Sequence, residues 1–274
     1  MVNMGNVWDR TSEFLSENMS ALLPIALVAL LVPHSITALT GGAGTAINPF
    51  AGYAISLACV LIALWGQLAI VALALVPDGG RPRAAAVATG SFGRALAAML
   101  LLFLVIALIA APMLSVLAGG GMNLAQLGGG GMADISLSTG AKTFVSIYAL
   151  ILSALVFYVS IRLVMLYPVI VAEGGVIDAL RRAFALSRGI VWKLIGVWVL
   201  FIIVYLVGRL AVTSAVGAIV ALLSSSTSPF AFGKILVAIL SGLVTTIYTV
   251  IVAAFSAKLY RAVVAAREGM APTT

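Results

Sequence analysis

Six stretches of this chain are each about as long as a bilayer is thick and carry almost no charge. They cover residues 21–39, 51–76, 95–118, 143–172, 191–212 and 233–260. A helix rising 1.5 Å per residue needs about 20 apolar residues to cross a hydrocarbon core of roughly 30 Å. Backbone polar groups in lipid must be satisfied inside the segment or in a closed barrel. These runs show no strand-type alternation and are too long for barrel strands. The expected fold is therefore all-α: a polytopic membrane helix bundle of about six transmembrane helices, forming one membrane domain over residues 1–274. Composition supports this. Only 8% of residues are charged and 63% are hydrophobic, whereas a soluble domain carries roughly 25% charged residues.

Basic residues assign the two sides. Arg10 precedes the first run, and Arg81, Arg83 and Arg94 lie between the second and third. Arg162, Arg181, Arg182, Arg188 and Lys193 lie in or beside the connection between the fourth and fifth. Lys258, Arg261 and Arg267 follow the sixth. These account for twelve of the fifteen lysines and arginines. The positive-inside rule then predicts both termini in the cytoplasm; the expected location is the cell inner membrane. The net charge of +7 reads as topology and lipid-headgroup contact, with no aromatic-interleaved patch for nucleic acid. Arg10 is outweighed by Asp9, Glu13 and Glu17. That balance is unlike a signal peptide, so the first run is expected to be retained.

Three segments at the cytoplasmic side share a layout: residues 7–19, 84–93 and 176–188, each with one phenylalanine (Phe14, Phe92, Phe184) before an apolar run. They read as three units of interfacial helix plus hairpin. The first, within an interfacial helix over 4–19, is amphipathic: Val7, Trp8, Thr11, Phe14, Leu15 and Asn18 share a face opposite Asp9, Arg10, Glu13 and Glu17. Such a helix lies in the interface plane, but its acidic polar face is unusual for binding anionic lipid, and packing against the protein's own basic loops is the alternative. In the third, Asp178 stands three and four residues before Arg181 and Arg182, at helical ion-pair spacing. The glycine runs at 119–121 and 128–131 lack the Lys-Ser/Thr and the strand–turn–helix setting of a phosphate loop. Residues 224–229 read as a polar linker.

The chemistry-bearing inventory is short. There is one histidine, His34, and one cysteine, Cys59, so no disulfide, HExxH site or Cys–His cluster is possible, and no metal or other cofactor is expected. None of the eight acidic residues lies deep in a run, which argues against a carrier using an intramembrane carboxylate. His34 follows Pro33 about two-thirds of the way across the first run, either facing a cavity or near the outer interface. Arg209 lies 16 residues, about 24 Å, beyond Lys193, where snorkelling or an anion contact both fit. Arg162 belongs near the inner interface, and Glu173, beyond Pro168, is placed to fold back on it. Arg181, Arg182 and Arg188 join these as candidate lipid- or anion-binding residues, against the plainer reading of a solvated face. Gly66, Gly196 and Gly208 permit close helix contact, within one chain or between two.

Residues 167–200 read YPVIVAEGGVIDALRRAFALSRGIVWKLIGVWVL. Pro168, Glu173, the ALRRA segment at 179–183, the LSRG segment at 186–189 and Trp192 together resemble the signature of the glycerophosphoryl diester phosphodiesterase membrane-domain family and related uncharacterised six-pass bacterial membrane proteins. The opening, Trp8 to Pro24, is similar to that family's first helix. In fused members the hydrolase is a separate soluble domain, so the resemblance implies a membrane module without that activity. The expected function is a non-catalytic integral membrane module acting through membrane lipids, a membrane-protein partner or a homo-oligomer. The alternatives are a transporter or channel for an amphipathic or anionic solute, using Arg209, Arg162 or His34, and, with least support from the residues, a membrane-embedded enzyme.

Overall fold

The structure is a computed structural model, and it describes residues 3–42, 49–120, 138–218, 232–267 and 269. Most of the glycine-rich loop, the 224–229 linker, Asp134 and Glu268 lie outside the described residues. Among the described residues the chain is almost entirely helical, without strands. Helix α1 is Met4–Glu17; α2 is Met19–Ile25, followed by a π-helical turn, Ala26–Leu31, and α3, Val32–Gly42. Then come α4, Pro49–Leu75; α5, Gly80–Gly119; α6, Thr139–Arg162; α7, Leu166–Ala172; α8, Ile177–Leu186; and α9, Val191–Leu210, which runs into a second π turn, Ala211–Val216. The last helix, α10, is Phe232–Arg267. Six of these units are long and apolar enough to cross a membrane: 19–40, 50–75, 77–119, 139–172, 191–216 and 232–267. The chain is a multi-pass helical membrane protein. α1 packs on α10, so the two ends of the chain meet at one end of the bundle, called here the basic end.

Local chemistry explains where the spans bend. Pro24 lacks an amide donor, and the π turn directly follows its helix. That turn places Pro33 in the first turn of α3, where a missing donor costs least. In the fourth span Pro168 would clash with the carbonyl four residues earlier, so the helix stops at Arg162 and restarts at Leu166. Near the second π turn, Thr213 Oγ1 donates to Arg209 O at 2.9 Å and Ser214 Oγ donates to Leu210 O.

One expectation is corrected. Residues 84–93 are not a separate interfacial helix; they are the first turns of the 40-residue α5. Ala84, Ala88, Ser91, Ala95 and Ala98 are buried at alternating spacings of four and three residues. This small-residue seam against α4 keeps one register past Gly90 and Gly93, and the helix continues. The first and third segments are separate helices, α1 and α8.

The core sits towards the basic end. Leu68 to Ala74 of α4 are all buried, as are Ile161, Met165, Val169 and Ile170 of the fourth span, and Ala253 to Ala257, Leu259 and Val263 of α10. Two glycines set the closest helix crossings. A Cβ on Gly66 would lie 2.7 Å from Ala29 Cβ in the first π turn, and one on Gly242 would lie 2.9 Å from Ser35 N. A Cβ on Gly208 would lie 3.2 Å from Val244 Cγ1, while one on Gly196 would meet nothing within 4 Å.

Candidate functional site

At the basic end the predicted arginines separate into tied and free groups. Arg162 does not pair with Glu173. It donates to Tyr158 Oη (2.8 Å), to Phe184 O (3.1 Å) and to Ser187 Oγ (3.5 Å), and its guanidinium lies over the Tyr158 and Phe184 rings. Arg267 approaches from α10 and donates to Ala185 O (2.9 Å) and Leu186 O (3.3 Å). The last carbonyls of a helix lack intrahelical partners and carry partial negative charge. Two arginines from different spans therefore close the C-terminus of α8. Gly189, with φ of +85°, lets the chain turn there into α9.

Glu173 is held from the other side. Arg182 Nε lies 3.3 Å from its Oε1, and Tyr260 Oη donates to the same oxygen at 2.8 Å. Gly174 and Gly175, with φ of +78° and +73°, carry the turn into α8, and the Arg94 guanidinium lies against Gly174 where a side chain would sit. α8 is thus clamped to the fourth span and to α10, and the turn before it to α5, with Ala179, Ala183 and Leu186 of α8 buried. Arg181 and Arg188 are exposed, and among the described residues neither side chain has a hydrogen-bond or ion-pair partner. Beside α1, Arg10, Glu13, Glu17, Asp78, Lys258 and Arg261 line a mixed-charge cleft of about 720 Å³. Lys258 Nζ stands 4.7 Å over the Phe14 ring. The acidic face of α1 therefore shares a cleft with the protein's own cations.

Further into the membrane, His34 and Arg209 approach α10 from different helices, α3 and α9. His34 Nδ1 is 3.2 Å from Thr246 Oγ1. Arg209 donates to Tyr205 Oη at 2.9 Å, and Tyr205 Oη is 3.5 Å from Thr245 Oγ1. Adjacent threonines on one helix thus serve two different neighbours. Arg162 does not join this group. Sequence reasoning missed Tyr205, Thr245 and Thr246, because it weighed charged residues and passed over hydroxyls in apolar runs.

A third feature had no sequence signal. Between α9 and α10, with α1 across one end, lies an apolar groove of about 710 Å³. Its floor carries a chain of rings: Trp8 to Phe201 at 6.1 Å and Phe201 to Phe255 at 5.3 Å. Leu200, Val204 and Ile247 line it and are 58%, 62% and 51% exposed, so it opens sideways. No three metal-ligating side chains group together among the described residues.

The class of protein is therefore a multi-pass helical membrane protein with a clamped interfacial helix and a lateral groove. No family model matches this sequence, and no curated protein or solved structure is significantly similar to it.

Proposed function

We propose that this chain is a non-catalytic integral membrane module that holds lipid, sited in a bacterial cytoplasmic membrane with its basic end on the cytoplasmic side. The apolar groove carries this reading. From Val197 to Gly208 the groove follows α9 for about 16 Å. That is roughly half of a 30 Å core, the depth of one leaflet. The groove opens within the spans, where the surrounding solvent is acyl chain. Trp8 of α1 closes one end, as an amphipathic ring does at a membrane interface. Arg181 and Arg188, exposed at the basic end, supply attraction to anionic headgroups of about 1 kcal/mol each. The resemblance of residues 167–200 to the glycerophosphoryl diester phosphodiesterase membrane-domain family belongs to the same proposal, and those residues carry it.

Native mass spectrometry of protein extracted with its own lipids tests the reading. Wild type is expected to retain phospholipid. Val204→Trp, which fills the groove, is expected to lose it. Val207→Trp, at a 61% exposed position on the same helix outside the groove, is expected to keep it. Equal retention by both variants, or none by wild type, overturns the proposal.

A further inference from the structure

A second cavity, of about 380 Å³, lies between the spans and is lined by residues from all six. It is small for a ligand pocket, which typically measures about 300–1,000 Å³. Its depth follows from α4, whose contribution, Cys59 to Gln67, brackets the middle of that helix. None of its lining residues carries a formal charge, and His34 is the one histidine among them.

The lining is nevertheless rich in hydrogen-bonding groups without protein partners. The Gln67 amide, the Tyr167 and Tyr248 hydroxyls and the Trp198 indole N–H line the cavity, and among the described residues none of them makes a hydrogen bond. His34 uses Nδ1 on Thr246 and has its second nitrogen left over. These side chains are half-buried and their polar groups stay open to the cavity, so water or a ligand there can supply the partners that the protein does not. Gln67 places an amide well inside a span, where a polar group is costly to keep.

We propose that this cavity binds a neutral, multiply hydroxylated group, such as a sugar ring. A charged ligand would be buried against no counter-charge, at a desolvation cost that nothing there offsets. An apolar ligand would leave the amide, hydroxyl and indole groups unpaired. Hydroxyls fit because each donates and accepts. They can meet the donor-only indole and both ends of the amide, which offers two donors and an acceptor oxygen. Tyr167, Trp198 and Tyr248 also line the cavity, and aromatic rings can pack against the C–H side of a sugar. The hydroxylated group has two sources. It can be a free sugar, or the headgroup of a glycolipid whose tail lies in the groove, since Tyr248 lines both spaces. The binding site does not depend on the groove, because a free sugar would occupy the cavity alone.

The test follows Trp198 emission in protein bearing Trp8→Phe, Trp65→Phe and Trp192→Phe, held in phosphatidylcholine nanodiscs; wild-type emission gives the same readout if that variant is unstable. The probes are methyl glucoside and monoglucosyl diacylglycerol, with inorganic phosphate and phosphatidic acid as anionic counterparts. A saturable change is expected with a glucoside, weakened at least tenfold by Gln67→Leu and also weakened by Tyr167→Phe, which removes only one hydroxyl and carries the test if the first variant misfolds. Response to methyl glucoside identifies a free sugar; response to the glucolipid alone identifies a headgroup. No saturable response to either glucoside overturns the proposal. So does tighter binding of the anionic probes, or a response that neither substitution alters. Retained phospholipid is not read in this measurement, so the groove and the cavity fail or stand separately.

Discussion

The two halves of the bundle, basic end and far end, are built from residues of similar hydropathy yet pack differently. Towards the basic end the helix interfaces are lined by small side chains: Ala84, Ala88, Ala95 and Ala98 on α5, and Ala253, Ala254 and Ala257 on α10. Towards the far end α3 and α10 keep one close crossing, at Ser35 and Gly242, but α5 presents Phe103, Leu104 and Leu108, and α6 presents Leu150 and Ile151, all more than 60% exposed. Lipid tails are as apolar as leucine, so no hydrophobic force draws these larger side chains against one another. Close approach then depends on shape. Where alanines and glycines line a face, backbones meet and the side chains around them are enclosed. Where leucine and phenylalanine line it, the helices stand apart and lipid fills the gap. α4, at the centre of the first arrangement, is the most enclosed span, and α9 the least.

The sharpest way to break this comparison is to add bulk to two glycines that sequence treats alike. Gly66→Leu must displace Ala29 of the first π turn and is expected to destabilise the protein by about 3 kcal/mol. Gly196→Leu enters open space and is expected to leave stability unchanged or raise it, since glycine is a poor helix former by about 1 kcal/mol. Unfolding equilibria in bicelles compare the two. Equal effects would remove the claim that shape, and not hydropathy, encloses the basic half.

The next contrast removes bulk. Leu73 is fully buried and Leu150 is 71% exposed. Leu73→Ala leaves a cavity among side chains and is expected to cost about 2 kcal/mol; the loss is mainly of packing, because lipid is the alternative surrounding. Leu150→Ala is expected to stay within about 0.5 kcal/mol. Thermal melting followed by circular dichroism, with both variants in one detergent, checks the difference.

Some of this was legible in the sequence and some was not. The six spans follow from run length alone, and the break in the fourth from Pro168. The separation of α1 and α8 from their spans was legible because charged residues mark one face of each. The continuity of α5 was not, because Gly90 and Gly93 look like a break and the seam that carries the helix past them is alanine, which is apolar on either face. The same uniformity hid which glycine packs: with both lipid and protein apolar, hydropathy no longer tells inside from outside. Arg162 lies at the basic end, where α6 stops, but its partners were not foreseen. They are backbone carbonyls and hydroxyls, and a charge-matching reading looks only for carboxylates. Gln67 carried a signal that was overlooked, an amide in the middle of an apolar run.

Arg162→Leu sharpens the basic-end half of the comparison. It deprives Phe184 O and Ser187 Oγ of their charged donor and leaves Arg267 alone at the end of α8. Hydrogen bonds to charged groups contribute about 1.5–3 kcal/mol. Tyr158 and Arg267 remain, so a loss of about 1.5 kcal/mol is expected, together with faster hydrogen exchange across residues 177–188 and little change in α6 beyond Tyr148. Exchange that rises equally in both regions would mean that α8 is not held by this clasp.

The smallest effect is expected where the far half has one of its few polar ties. Tyr148 Oη donates to Ile109 O at 2.6 Å and joins α6 to α5. That carbonyl is already within α5, so the bond adds a second donor to an acceptor with two lone pairs. Removing it leaves nothing unsatisfied on α5 and frees one lipid-facing helix from another. Interhelical hydrogen bonds in bilayers average about 0.6 kcal/mol, and Tyr148→Phe should cost no more. What should change is distance: spin labels at residues 104 and 151 should report a broader separation in the variant, while labels at the exposed residues 76 and 86 do not move. A large loss of stability from this one hydroxyl would mean that the far half is held together by hydrogen bonds and not merely bounded by lipid.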